Sequence, residues 1–324
     1  MRWKKIFDLT DVDAIFIKNN DENFFYFTKA KGLHEDSVAI VTKEGAKIIS
    51  TPLEREGIFY HSKEELKKIL KDFLDGKKIG FNGEALKYND FIYLKKNFKA
   101  NFIDISRKIK EVRVIKDKEE IKKIRRACLL TLKSIEKLNF YGKREKDVAF
   151  EIDCKINREA KNAFPTIVAF GKNTSIPHHV PSNKLFSNPV IIDCGAKYDG
   201  YCSDITRSFY SQREKRVYEI VNEALNIAID ELKEGVKASE VYKKVEKFFS
   251  RYKFKMIHGL GHSIGLNVHD GYSISKKSNF LFKENMVFAI EPAVYTKNFG
   301  IRIEEDVLIK KRKAEIITVY PNEK

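Results

Sequence analysis

Residues 192–209 read IDCGAKYDGYCSDITRSF and contain two aspartates, Asp193 and Asp204, within the pattern of a β-hairpin. A tight turn at KYDG, with a short strand on each side, predicts that Ala196 pairs with Tyr201. In that register Asp193 lies directly opposite Asp204 on the same face of the hairpin. Like charges in opposite positions destabilise a sheet, so this pair requires a counter-charge or a function.

The chain repeats its order of predicted elements at an offset of about 90 to 100 residues. A helix predicted over 118–138 is matched by one over 213–233, and a second helix follows each of them. FPTIVAFGKNTSIPH is matched by FKMIHGLGHSIGLNVH, and each half ends in a hairpin, at 190–210 and 286–309. Because the order holds across four elements, we interpret it as an internal duplication.

The repeat predicts a second acidic pair. In AIEPAVYTKNFGIRIEEDV, pairing of Val294 with Ile301 places Glu291 opposite Glu304. Four carboxylates that converge in a partly buried site must either take up protons or bind cations. Their oxygens suit divalent metals, and a pair of ions is a common hydrolytic arrangement. His262, in the glycine-rich stretch HGLGHSIG, is the candidate for a nitrogen ligand.

The composition narrows the class of protein. The 324 residues carry a net charge of +16, but the basic residues are interleaved with 46 acidic ones, which predicts a solvated surface and no nucleic-acid partner. No run of about 18 apolar residues occurs, so we expect no membrane span. The N-terminus lacks the pattern of a signal peptide, and the four cysteines form no CxxC pair. We therefore expect reduced thiols in a cytoplasmic protein.

Two domains are expected, 1–112 and 113–324. In the first, AIFIKN, FFYFT, KKIGFN and FIDIS are predicted strands, and VAIVTKEGAKIIS is a predicted hairpin. A helix is predicted over 62–74. In the second, Asp117 and Glu120 form a predicted capping box where the first long helix begins.

The motifs IDCGAKYDGYCSDITRSF, HGLGHSIGLNVHD, AIEPAVY and GIRIEEDV together resemble the metallopeptidases of the methionine aminopeptidase and Xaa-Pro peptidase family. The resemblance covers roughly residues 116–324 and implies an α+β pita-bread fold with a pseudo-twofold repeat. The preceding residues, 1–112, resemble the smaller α/β N-terminal domain of prolidases, Xaa-Pro aminopeptidases and creatinases.

The resemblance implies two divalent ions per subunit and five metal ligands: Asp193, Asp204, His262, Glu291 and Glu304. Asp204 and Glu304 would bridge the ions. Asp193 would complete one ion, and His262 and Glu291 the other. These ligand types admit Mn, Co, Fe or Zn, and the resemblance favours Mn or Co. Glu305 is excluded because it points to the opposite face of the strand from Glu304.

The reaction implied is hydrolysis of the first peptide bond of a peptide. Glu291 would carry a proton from water to the leaving nitrogen. His178 and His269 would line the substrate pocket and donate hydrogen bonds to the scissile carbonyl, and His258 would contribute to substrate binding. Arg302 would orient the ligand carboxylates or hold a substrate group.

The sequence features also bear on three alternatives to an Xaa-Pro peptidase. Methionine aminopeptidase usually lacks both the preceding α/β domain and an arginine at the position of Arg302, so it is less favoured. Creatinase shares the two-domain plan but lacks the metal ligands. A non-catalytic binding protein of this fold would also have lost the ligands, whereas this chain has all five.

The choice between dipeptidase and aminopeptidase is finely balanced. Many prolidases carry VHE, a short Pro-containing stretch and an arginine that helps to hold the carboxylate of the dipeptide. This chain has VHDGYSIS instead, with Ser273 at the position of that arginine. The sequence therefore favours an Xaa-Pro dipeptidase only slightly over an Xaa-Pro aminopeptidase. The expected substrates are proline-containing dipeptides or short peptides, and the expected assembly is a homodimer.

Overall fold

A computed structural model describes residues 4–54 and 57–319. The chain divides into two units, Met1–Arg113 and Val114–Lys324. No helix among the described residues combines the length and the apolar composition needed to cross a membrane. All four cysteines lie in the described part of the chain, and none is in a disulfide.

The described part of the N-terminal unit contains a six-stranded sheet with strand order β4-β3-β2-β1-β5-β6. Its core includes Phe16 and Ile40 from the sheet and Leu70 and Leu74 from a helix. The elements are α1 (Lys5–Leu9), β1 (Ala14–Lys18), α2 (Glu22–Thr28), β2 (Val38–Val41), β3 (Ala46–Ser50), β4 (Ile58–Phe59), α3 (Lys63–Leu74), β5 (Lys78–Phe81), α4 (Tyr88–Asn97), β6 (Asn101–Asp104) and α5 (Ser106–Arg113).

One predicted strand of this unit is wrong, because FFYFT lies in the helix α2. The Asp21 side chain caps the helix by accepting a hydrogen bond of 2.9 Å from the backbone N–H of Asn23. Phe24 and Phe27 are buried at the i, i+3 spacing of one helix face. The cap and this spacing outweigh the preference of aromatic residues for strands.

Helix starts in both units follow the predicted capping residues. Ser62 Oγ accepts a hydrogen bond of 3.1 Å from Glu65 N at the start of α3. Before Lys118, Asp117 Oδ1 accepts from Glu120 N at 2.9 Å and Glu120 Oε2 accepts from Asp117 N at 2.7 Å. This capping box confirms where the first long helix of the second unit begins.

The second unit contains the rest of the helices and strands. They are α6 (Lys118–Ile135), α7 (Glu145–Ile156), β7 (Lys161–Asn162), β8 (Ile167–Phe170), β9 (Val190–Cys194), β10 (Ala196–Tyr198), β11 (Tyr201–Cys202), β12 (Ile205–Phe209), α8 (Lys215–Glu231), α9 (Ala238–Ser250), β13 (Gly261–Ser263), β14 (Ser273–Ile274), β15 (Val287–Ile290), β16 (Ala293–Tyr295), β17 (Gly300–Arg302), β18 (Glu305–Leu308) and β19 (Glu315–Ile316). A 3₁₀ segment, Gly171–Ser175, follows β8.

The internal duplication is visible in the topology of this unit. In the first half two helices precede the antiparallel arrangement β8-β9-β12, and in the second half two helices precede β13-β15-β18. The hairpin β10-β11 lies between β9 and β12, as β16-β17 lies between β15 and β18. Each half buries its own apolar core beneath its helices.

The predicted register of the first hairpin is wrong by two residues. Tyr198 pairs with Tyr201, and Asp193 therefore lies opposite Thr206 instead of Asp204. The turn contains only two residues, Asp199 and Gly200, and both have positive φ, at 48° and 86°. Asp-Gly is the preferred pair for this kind of turn. The shift is an even number of residues, so both aspartates stay on one face.

The predicted register of the second hairpin is confirmed. Val294 pairs with Ile301, and further along Ile290 pairs with Glu305 in the same register. Glu291 and Glu304 occupy the facing positions between these two paired segments. Their backbone N–H groups donate hydrogen bonds outside this hairpin. Glu291 N donates to the carbonyl oxygen of Leu260, and Glu304 N donates to that of Thr206. The two halves of the unit therefore meet at the acidic residues.

Gly195 provides a test of this packing, since a Cβ atom there would lie 2.1 Å from the carbonyl oxygen of Ser203. We expect Gly195→Ala to destabilise the protein by about 1–3 kcal/mol, the usual cost of overpacking. The measurement is the urea midpoint of unfolding. Gly45→Ala is the control, because a Cβ atom there meets nothing within 4 Å. Equal midpoints for the two variants would contradict the close approach.

Candidate metal centre and substrate cleft

The nine side chains that the sequence singled out line one cleft of about 720 Å³ in the second unit. They come from both halves of the duplication. Some lie at strand ends and others on the loops that follow. They are His178, Asp193, Asp204, His258, His262, His269, Glu291, Arg302 and Glu304.

The closest cluster in the cleft is Asp204, His262 and Glu304. One potential ligand atom from each lies within 4.8 Å of the other two, and His262 Nε2 is 3.5 Å from Asp204 Oδ2. His262 Nδ1 lies 3.0 Å from the carbonyl oxygen of Val268, which assigns the ring proton to Nδ1 and leaves Nε2 to face the carboxylates. Burial lowers the pKa of His262 to about 4, so the ring is neutral at pH 7, as metal binding requires.

Glu291 and Asp193 extend this cluster. Glu291 Oε1 lies 3.9 Å from His262 Nε2, and its Oε2 lies 3.8 Å from His258 Nδ1. Asp193 Oδ1 and Asp204 Oδ1 are buried without a hydrogen-bond partner. Buried carboxylate oxygens nearly always have partners, so these two point to a cation as the missing one.

The raised pKa values of the acids also point to a bound cation. Burial, and then the neighbouring carboxylates, raise the pKa of Asp204 and of Glu304 well above the ordinary range. Burial also raises the pKa of Glu291. At neutral pH such a group of acids needs positive charge to ionise together. The donor set of carboxylate oxygens and one neutral imidazole therefore fits divalent metal ions.

Arg302 holds two of the acids in place. Its Nη2 donates to Asp193 Oδ2 at 2.5 Å, and its Nε donates to Thr206 Oγ1 at 3.1 Å. Thr206 Oγ1 donates in turn to Glu304 Oε2 at 2.6 Å. Although burial alone would lower the pKa of Arg302, Asp193 and its other neighbours raise it, so the guanidinium stays charged.

Thr206 and Tyr295 are parts of the site that sequence reasoning missed. Tyr295 OH accepts a hydrogen bond of 2.6 Å from Arg302 Nη1, and burial raises the pKa of the phenol to about 12. The sequence contains a signal for both residues, because side chains an even number of positions apart along a strand share a face. Thr206 follows Asp204 by two residues, and Tyr295 follows Glu291 by four.

Asp306 lies behind the cluster and is fully buried. Its Oδ2 accepts hydrogen bonds from Asp204 N at 3.0 Å and from Cys128 Sγ at 3.3 Å. Burial raises its pKa to about 8. Glu305 points the other way, toward Arg207 at 3.0 Å, as the alternation of side chains along a strand predicts.

The other cleft residues flank the acids. The rings of His269 and His262 have centroids 4.1 Å apart. His178 lies on the loop after the 3₁₀ segment. Burial lowers the pKa of His258 and of His269. Near Ser273, the ammonium of Lys276 lies 3.3 Å from the carboxylate of Glu246.

Comparison with known proteins decides the family. Residues 122–311 match the model of metallopeptidase family M24, and residues 2–115 match that of the Creatinase/Prolidase N-terminal domain. The chain belongs to metallopeptidase family M24. As an M24 metallopeptidase it is a metal-dependent hydrolase of peptide bonds. Its fold is the pita-bread fold, preceded in the chain by a creatinase-type N-terminal domain, as predicted.

Named relatives cover nearly the whole M24 chain. The Xaa-Pro dipeptidase of Pyrococcus furiosus is 34% identical over 97% of this chain and 95% of its own. The solved prolidase of Pyrococcus furiosus superimposes with a TM-score of 0.86 at 32% identity, covering 98% of this chain and 100% of that one. The X-Pro aminopeptidase of Thermotoga maritima MSB8 has a TM-score of 0.87 at 30% identity, with coverages of 98% and 99%.

The raised pKa values predict how the stability of this M24 metallopeptidase depends on pH when its metal is removed. Between about pH 7 and 8 the folded state holds carboxyl protons that the unfolded chain has lost, so stability falls as the pH rises. The lowered pKa values of the buried histidines oppose this trend only up to about pH 7. The expected slope is up to about 1.4 kcal/mol per pH unit for each such proton.

The measurement is urea unfolding of metal-stripped protein at several pH values in this window. Asp306→Asn is the matched variant and should flatten the slope, because it removes a carboxyl group with a pKa of about 8. Stability that rises with pH over this window would contradict the assignment.

Proposed function

We propose that this M24 metallopeptidase is an exopeptidase that hydrolyses Xaa-Pro bonds, with dipeptidase activity favoured over aminopeptidase activity. The extended similarity to the Xaa-Pro dipeptidase of Pyrococcus furiosus supports the substrate class. Proline-containing dipeptides are the proposed substrates. The similarity to the X-Pro aminopeptidase of Thermotoga maritima and the serine at position 273 support aminopeptidase activity as the second candidate.

The observation that carries the proposal is the cluster of acids around one neutral histidine. Two carboxylate oxygens in this cluster are buried and unpartnered. We propose that two divalent ions would be held here, Mn or Co in preference to Fe or Zn. The full proposed ligand set is Asp193, Asp204, His262, Glu291 and Glu304.

When bound, the two ions would lower the pKa of an attacking water and polarise the carbonyl of the scissile bond. Glu291 would take the water proton and deliver it to the leaving nitrogen. This delivery is needed because an amine is a poor leaving group unless its nitrogen is protonated. From an Xaa-Pro bond the leaving group is the secondary amine of proline. The position of Glu291 between His262 and His258, at the edge of the cluster, supports that role.

The flanking histidines would bind the substrate. We propose that His178 and His269 donate hydrogen bonds to the oxygen of the scissile carbonyl as it becomes negatively charged. The pKa of His269 is lowered, so it would act as a neutral N–H donor. His258 would bind the substrate. Arg302 would keep Asp193 and Thr206 in position through its hydrogen bonds to both.

The substrate class is tested by incubating metal-stripped protein with Ala-Pro, Ala-Pro-Ala and Met-Ala-Ser, before and after Mn or Co is added back. We expect added metal to restore hydrolysis of Ala-Pro, slower hydrolysis of Ala-Pro-Ala and no release of Met. Preferred hydrolysis of Ala-Pro-Ala would make the protein an aminopeptidase. Release of Met without cleavage of either proline peptide would refute the Xaa-Pro assignment.

The metal centre is tested with two adjacent glutamates. Glu304→Gln should lower kcat/KM for Ala-Pro by more than about 100-fold, because loss of a group outside the ligand set alone costs 10–100-fold. It should also lower the metal content measured by inductively coupled plasma mass spectrometry. Glu305→Gln is the control, since Glu305 pairs with Arg207 and should leave both quantities unchanged. Full metal loading of Glu304→Gln would remove Glu304 from the ligand set.

A further inference from the structure

A second network of buried hydrogen bonds surrounds Glu145, which does not line the cleft. We propose that Glu145 is a positioning residue that fixes the segment 171–184, and with it His178, against the substrate. The role of His178 rests on the proposed function. The fixing of the segment rests on the hydrogen bonds that Glu145 accepts.

The Glu145 side chain is completely buried at the start of α7. Its Oε1 accepts hydrogen bonds from Phe170 N at 2.7 Å and from Asn173 Nδ2 at 2.9 Å. Its Oε2 accepts from His179 Nε2 at 2.8 Å and from Ser182 N at 2.9 Å and Ser182 Oγ at 2.5 Å. One carboxylate thus receives five hydrogen bonds, and although burial alone would raise its pKa, these bonds lower it.

Four of the five hydrogen bonds come from residues at or near the ends of the segment, and the fifth comes from His179, which directly follows His178. Phe170 ends β8 just before it, Asn173 lies in its 3₁₀ turn, and Ser182 lies near its far end. The backbone of α7 adds two more contacts, because Glu145 N donates to Lys184 O at 3.1 Å and Lys146 N donates to Ser182 O at 3.2 Å. His178 therefore lies between two points that Glu145 holds.

Before His178 the segment is also held at Thr174, whose Oγ1 accepts a hydrogen bond of 2.8 Å from Gly300 N, but around His178 it buries little apolar surface. Ile176 is 51% exposed and Val180 is 79% exposed, so its apolar side chains contribute little burial. On the side of the cleft, the carbonyl oxygen of Pro177 accepts a hydrogen bond of 3.1 Å from Arg302 Nη1. Arg302 and Glu145 thus hold the two residues that flank His178, Pro177 and His179.

Only an ionised carboxylate matches this set of donors. Both of its oxygens accept hydrogen bonds, whereas a glutamine would present an NH₂ group to one group of donors. Glu145→Gln should therefore release part of the segment without a change in side-chain size. A displacement of about 1 Å at a group that contacts the transition state can cost about 100-fold in rate.

The experiment is a double-mutant cycle of Glu145→Gln and His178→Ala on metal-loaded enzyme, with Ala-Pro as substrate. We expect Glu145→Gln to lower kcat by about 10- to 100-fold with little change in KM, because the contact of His178 strengthens in the transition state. In the His178→Ala background the same substitution should have little further effect. Metal content should equal that of the wild type.

Glu214→Gln is the matched control. Glu214 is also buried at the start of a helix, and its Oε2 accepts from Ser211 N at 3.1 Å and Ser211 Oγ at 2.6 Å. Glu214 does not line the cleft, so its substitution should leave kcat unchanged. If Glu145→Gln fails to fold, Ser182→Ala removes one donor and should show the same coupling to His178 on a smaller scale.

Hydrogen–deuterium exchange separates this proposal from the proposed function. Glu145→Gln should speed exchange of backbone amides in residues 171–184, and Glu214→Gln should not. If the wild type fails to cleave Ala-Pro, the proposed function is wrong, and the exchange result alone decides whether Glu145 fixes the segment. Unchanged exchange, or effects of Glu145→Gln and His178→Ala that simply multiply, would overturn the positioning role.

Discussion

The constraint on which the site depends is the burial of several carboxylates within reach of one another. Burial and mutual repulsion raise the pKa of Asp204 and Glu304, so these acids ionise together only when positive charge is supplied. Arg302 supplies one charge from the side, at Asp193. The remaining negative charge and the unpartnered oxygens account for a metal requirement, which agrees with membership of a metallopeptidase family.

The duplication explains how a chain can bring such acids together. Each half contributes a hairpin that is interrupted between two paired segments. Asp204, Glu291 and Glu304 lie at these interruptions, and Asp193 lies in the paired strand just before one of them. Backbone atoms approach closely at these points, as at Gly195, where no side chain fits. The apolar cores of the two halves, which are separate, offset the repulsion between these acids.

The residues around the acids divide into two groups. In one group, Arg302 and Thr206 connect Asp193 to Glu304 through hydrogen bonds, and Tyr295 accepts a further hydrogen bond from Arg302. The other group holds the loops that carry the histidines, and Glu145 belongs to it. The first sets the charge and orientation of the proposed ligands, and the second positions His178, a proposed donor to the substrate carbonyl.

The sequence by itself determined the repeat, the identity of the acids, the capping boxes and the register of the second hairpin, because each of these depends on local spacing. Two predictions failed on local features, because the two-residue turn at Asp199 and Gly200 places Asp193 opposite Thr206 and the Asp21 cap makes FFYFT part of a helix. Other contacts were decided only by the tertiary structure. The five donors to Glu145 lie 25 to 37 residues away along the chain. No local pattern encodes such a contact, since only the packing of α7 against the loop after β8 brings those donors to one carboxylate.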